Sequence, residues 1–187
     1  MAETSASRGR EVRRRLVQAA RELVPERGWT AVSTRTVAER AGVAPGLVHY
    51  HFASLQALLA EAAVGALREM VGGVGALLQH AGSPTEIVDL IAGEADRYTG
   101  TDPASLLAVE TYLAATRDPA LRRELSAVLD EFRNGLAGRL HEHGVPDPDA
   151  TAAVLAAVID GVLLHRSLGP APAVAPVLHR IVEKGEQ

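Results

Sequence analysis

Four ring side chains stand consecutively in this chain: His49, Tyr50, His51 and Phe52. The whole 187-residue sequence holds only three Tyr, two Phe, one Trp and seven His. Two imidazoles and a phenol can bind a metal, move protons, or donate to phosphates and base edges. Helical geometry argues against the first option, because residues two apart on a helix diverge by about 200°. His49 and His51 therefore cannot readily share an ion. A helical metal partner would sit three or four residues away, where His49 has Pro45, Gly46, Phe52 and Ala53, and His51 has Leu47, Val48, Ser54 and Leu55. None is a carboxylate or a second imidazole. No nucleophile with an orienting carboxylate lies nearby, so no catalytic group, metal site or cofactor is expected and the chain does not read as an enzyme. Val48 and Phe52, four apart, share a face suited to a core. Pro45, Gly46, His49 and Tyr50 fall on the opposite or flanking face, free to meet a nucleic acid.

That division requires a short helix at about Pro45 to Phe52, with Pro at its start where the missing N–H costs nothing. Before it, Ser33 and Thr34 offer an N-cap to the segment TRTVAERA, whose Val37, Ala38 and Ala41 form a buried face. Gly42 supplies the turn between the two. Further upstream, Val12, Leu16, Ala19, Ala20, Leu23 and Val24 recur at helical spacing, and Gly28 is placed to end that helix in a left-handed conformation. Trp29 reads as a plug that packs back on it. Helix, glycine turn and short second helix are helix-turn-helix anatomy.

Charge agrees. Residues 1–55 carry nine Arg against five acidic groups, whereas residues 56–187 carry ten basic and eighteen acidic groups, for a net charge of −4 overall. A positive head on an acidic body points to nucleic-acid contact at the N-terminal end. The absence of Cys excludes disulfides and thiol chemistry. No secretory signal is recognisable, and the longest unbroken apolar run, Ala152–Ile159, is far shorter than a span of roughly 20 residues. A cytoplasmic protein without a membrane partner is the expectation.

The remainder reads as helix throughout. Ser54, Ser83–Pro84, Asp102–Pro103, Asp118–Pro119 and Asp147–Asp149 each mark a helix start, and Gly72–Gly73 weaken the long helix after Ser54. Between Ala152 and Leu164 the only charge is Asp160. A helix apolar on every side must be covered on every side. With the last helix (Val174, Val177, Leu178, Ile181 and Val182) beside it, it suits a two-fold, four-helix dimer interface made by residues of about 150–168 and 173–184. Enclosure within one monomer is the other way to cover it.

The stretch TRTVAERAGVAPGLVHYHFASLQALL resembles the DNA-binding signature of the tetracycline-repressor (TetR) family of bacterial transcription regulators. The match runs from Ser33–Thr34–Arg35 through Ala41–Gly42–Val43, Gly46 and the ring run to Leu58–Leu59, within residues 10–60. The resemblance implies an all-α protein with a three-helix DNA-binding head, residues 1–53, joined to a larger ligand-binding and dimerisation body, residues 54–187. It implies a homodimeric repressor whose affinity for a roughly palindromic operator drops when a small molecule enters the body. Thr34, Arg35, Ala44, Pro45, Gly46, His49, Tyr50 and His51, within the helix-turn-helix at residues 34–52, are the expected DNA contacts. Two positions depart from the pattern: Leu55 stands where family members usually carry a phosphate-binding Lys, and His49 where Tyr is common. Leu55 motivates an alternative, a small-molecule binding protein of the same fold with weakened DNA binding. For the effector, the polar or polarisable residues on apolar helices are the candidates: Met70, Glu94, Tyr98, Glu110, Tyr112, Phe132 and His165.

Overall fold

A computed structural model describes residues 5–170 and 172–183, and all the regular structure among them is helical. The α-helices are α1 (Ser5–Arg27), α2 (Thr34–Ala41), α3 (Gly46–His51), α4 (Leu55–Leu78), α5 (Pro84–Ala95), α6 (Pro103–Ala115), α7 (Pro119–Glu142), α8 (Pro148–Arg166) and α9 (Ala175–Val182), with a 3-10 turn at Trp29–Ala31. The chain divides into two compact units: residues up to Leu67 together with Leu106–Arg122, and Arg68–Ser105 together with Arg123 onward. The boundaries fall inside α4, α6 and α7.

Side-chain caps set several helix starts. Ser33 accepts from Thr36 N–H while Thr36 bonds back to the Ser33 backbone, a capping box at α2. Ser83 caps α5 through Glu86 N–H at 3.1 Å, and Asp118 caps α7 through Ala120 N–H at 2.8 Å. Asp102 does most. Its carboxylate accepts from Thr99 N–H, Ala104 N–H, Ser105 N–H and the Ser105 hydroxyl at 2.6–3.1 Å. Burial raises its pKa, but the hydrogen bonds from Ser105 and Thr99 outweigh that and hold it below its ordinary value. Asp147 differs: it opens α8 from a left-handed backbone (φ 45°) and its side chain makes no cap bond. Gly28 also departs from the expected left-handed stop. Its φ is 83° as required, but ψ of 151° extends the chain into the 3-10 turn.

In the first unit, Leu16, Ala19, Ala20, Leu23 and Val24 of α1 meet Val37, Ala38 and Ala41 of α2, with Val48, Phe52, Leu58 and Leu59 completing the core. Trp29 is buried, as its neighbourhood predicts, and donates through Nε1 to Gln56. In the second unit the core gathers Leu78, Ile87, Val88, Ile91, Leu136, Leu140, Leu155, Leu178 and Val182. Helix α5 buries Ile87, Val88, Ile91 and Ala95, with Leu90 only partly covered. Helix α4 runs unbroken through Gly72 and Gly73, so these glycines do not interrupt it.

By length and composition α8 alone among the described helices could cross a membrane. Yet it packs Thr151, Ala152, Leu155 and Val162 inward, and carries Asp160 near its middle, which a lipid-spanning helix would hold at a cost of about 2.5–3.5 kcal/mol. Its other side leaves Val154 and Leu164 45% and 49% exposed, and α9 leaves Val177 and Ile181 48% and 41% exposed. The apolar residues of α9 thus divide between a core face, Leu178 and Val182, and an open one.

Candidate nucleic-acid interface and effector cavity

The turn between α2 and α3 is closed from both sides. Gly42 sits at φ 63°, ψ 42°, its N–H bonded to Glu39 O and that of Val43 to Ala38 O, so two end carbonyls of α2 are satisfied by the Schellman pattern. The Arg15 guanidinium of α1 then donates to Ala41 O and Gly42 O. A methyl at Gly42 would stand 2.7 Å from that guanidinium, which would have to shift, and the left-handed backbone angle itself disfavours a side chain there.

Helix α3 begins from Pro45 in helical conformation and ends where Phe52 N–H bonds Val48 O at 2.9 Å. Val48 is wholly buried and Phe52 nearly so. The Arg13 guanidinium lies 4.7 Å above the Phe52 ring and pairs with Glu61 of α4, which ties α1, α3 and α4 together around the ring. On the other side Ala44, Pro45, Gly46 and His49 are exposed, and Tyr50 is 79% exposed. Nothing stands within 4 Å of a methyl placed on Gly46. His51 is half-buried, edge-on to Tyr50 with ring centroids 5.0 Å apart. The ring run therefore divides three ways: Phe52 to the core, His49 and Tyr50 to solvent, and His51 on the flank. At the start of α2, Thr34 is half-buried and the exposed Arg35 pairs with Glu39 at 2.8 Å, which raises the guanidinium pKa. Arg40 bridges to Glu26 at 2.6 Å and Glu22 at 3.2 Å, fastening α2 to α1 and lowering the Glu26 pKa.

The second unit holds a slot between α4 and α7 of about 280 Å³. Its lining includes Val71, Phe132 and Leu136 and the glycines Gly72, Gly75 and Gly135. Of the expected effector residues, Phe132 lines this slot. Met70 is half-buried on α4. Glu94 pairs with Arg97 at 3.2 Å, and burial with the nearby Glu94 carboxylate raises the Tyr98 phenol pKa. His165 is exposed on α8. Glu110 and Tyr112 belong to the first unit, where Glu110 accepts the Trp29 backbone N–H at 2.7 Å. The slot glycines and Arg68 are not among the residues the sequence marked for an effector. The signal available was the density of glycine within α4, which reads equally well as a weak point in the helix.

The family models agree with this arrangement. Residues 16–62 match that of bacterial regulatory proteins of the tetR family, and residues 82–184 match the tetracyclin repressor-like C-terminal domain. The chain belongs to the TetR family. It is a dimeric, ligand-responsive helix-turn-helix transcription regulator, in a family of DNA-binding proteins and not enzymes. Among its relatives, the HTH-type transcriptional regulator BetI of Agrobacterium fabrum is 34% identical over 173 residues, spanning 89% of this chain and 83% of that protein. The structure of SCO7518 from Streptomyces coelicolor A3(2) is similar with a TM-score of 0.76 at 30% identity, covering 93% of this chain and 99% of the other. The multidrug binding protein EbrR is similar in two crystal structures. Its imidazole complex matches at 29% identity over all of both chains, with a TM-score of 0.72. Its ethidium complex matches at 30% identity over 92% of this chain and 99% of that one, with a TM-score of 0.67.

Proposed function

We propose that this TetR-family chain is a cytoplasmic repressor that binds a roughly palindromic operator as a homodimer and leaves it when a small organic molecule occupies the body. The observation that carries this reading is the split of α3. With Val48 and Phe52 locked in the core, Gly46, His49 and Tyr50 form an open face continuous with Ala44 and Pro45. A face of this kind fits the major groove, with Thr34, Arg35 and His51 at its margin on phosphates. The dimer forms through α8 and α9, whose exposed Val154, Leu164, Val177 and Ile181 have the apolar character an isologous interface needs. Lys184, the end of the expected interface segment, lies outside the described residues. The effector site is the α4–α7 slot; EbrR, a relative of similar fold, holds imidazole and ethidium.

Titration of the protein against DNA from upstream of its own gene, followed by fluorescence anisotropy across a salt series, tests the reading. Specific, salt-sensitive binding is expected. If neither that DNA nor sequences selected from a random pool are bound, the proposal fails.

A second reading, a ligand-binding protein with a weakened head, rests on the half-buried Leu55 at the first position of α4. The Leu55→Lys variant separates the two. A gain of tenfold or more in operator affinity indicates a weakened head, and little change indicates that other cations supply the charge.

A further inference from the structure

We propose that Arg8 and Arg10, on the first turns of α1, are phosphate-binding residues that flank the recognition helix and supply the positive charge Leu55 lacks. The assignment rests on the proposed operator binding and adds residues to it. It follows from how the arginines of the head are used. Arg13 is held by Glu61 and the Phe52 ring, Arg14 by Glu11 at 2.6 Å, and Arg15 by the end of α2. Arg21 donates to Ala62 O and Arg40 pairs with Glu22 and Glu26, while the exposed Arg35, placed above among the phosphate contacts, pairs along its own helix with Glu39. Arg8, Arg10 and Arg27 make no hydrogen bond or ion pair among the described residues, and all three are exposed.

Position then separates these three. Gly9 faces α3: a methyl on it would stand 3.9 Å from the His51 ring. Arg8 and Arg10 lie about 100° to either side of Gly9 on the helix, so they flank the side of α1 that meets His51 at the end of α3. Arg27 is at the far end of α1, roughly 26 Å or more away along its axis. A guanidinium without an internal partner has no ion pair to break before it meets a phosphate, and on a flexible stem it can reach past the edge of the groove. The run Arg13–Arg15 is tied to Glu61, Glu11 and the end of α2, although all three side chains stay exposed.

The salt dependence of operator binding tests this. Each arginine occurs twice in the dimer, and each phosphate contact contributes about 0.9 to the slope of log affinity against log salt. Arg8→Ala and Arg10→Ala should each lower that slope by about 1.8, and the double variant by about 3.6, with an unchanged melting temperature. The ratio of operator to random-sequence affinity should stay within about twofold, because phosphates carry no sequence information. Arg8→Lys with Arg10→Lys should restore most of the slope, and Arg27→Ala should leave it at the wild-type value. A double alanine variant with the wild-type slope would overturn the assignment while leaving operator binding intact, and so would a loss of sequence discrimination, which would place these side chains on bases. A wild-type protein that binds no specific DNA would overturn the proposed function and this assignment with it.

Discussion

Tyr50 concentrates the problem at the scale of single residues. A phenol 79% exposed on a six-residue helix contributes little to the core, whereas Phe52 two positions on is 6% exposed and stacked under Arg13. Tyr50→Ala should therefore weaken operator binding about tenfold or more while leaving the melting temperature within a degree or so; a variant that unfolds the head would show that the ring packs inward. Asp102 is the converse, a residue whose work is structural. Its folded pKa is depressed, so its stabilising contribution is complete above the ordinary carboxylate range and is lost as pH falls through the depressed folded value. Asp102→Ala should cost about 1 kcal/mol near neutral pH, and the gap to wild type should close in acid. Unfolding curves at pH 7 and in an acid series measure both.

Elements show where local pattern suffices and where it does not. Helix starts were legible because Ser, Thr and Asp followed by Pro act within one turn of chain, and the bonds at Ser33, Ser83, Asp102 and Asp118 form over two or three residues. Helix faces were less legible. The hydrophobic spacing of α5 admits either Val88 or Leu90 on the inner face, and the neighbours of the helix decide for Val88. The slot between α4 and α7 was legible only at Phe132, since a cavity is a relation between two helices. Gly100 was invisible in the sequence. It holds φ 81°, and a methyl there would stand 2.5 Å from Ser167 N and 2.8 Å from Arg166 C. Arg166 in turn donates to Tyr98 O at 3.0 Å and pairs with Asp96, so this junction binds the end of α8 to the end of α5. Gly100→Ala should cost about 2 kcal/mol or more, lowering the melting temperature by several degrees; an unchanged value would show that the backbone there relaxes freely.

Assembly governs the whole molecule. The family is dimeric, and the proposed interface is the open apolar residues of α8 and α9. Leu164→Glu with Ile181→Glu, two exposed positions, should leave the fold intact, convert the dimer to monomer in sedimentation, and cost operator affinity far beyond tenfold because two linked heads become one. Retention of the dimer would place the interface elsewhere.

By itself the sequence determined the all-helical class, the order of the helices and the helix-turn-helix, because periodicity, caps and turn glycines act over a few residues of contiguous chain. It also marked the pairing of Val48 with Phe52, since a four-residue interval on a helix leaves only one way to share a face. Among the described residues, tertiary structure decided which arginines of the head have a partner. Arg13 and Glu61, or Arg15 and Gly42, are far apart in the chain, and only folding brings a guanidinium to its acceptor. Charge along a sequence counts cations; how each is held, and so how readily it turns to a phosphate, is set by the partners that folding brings to it.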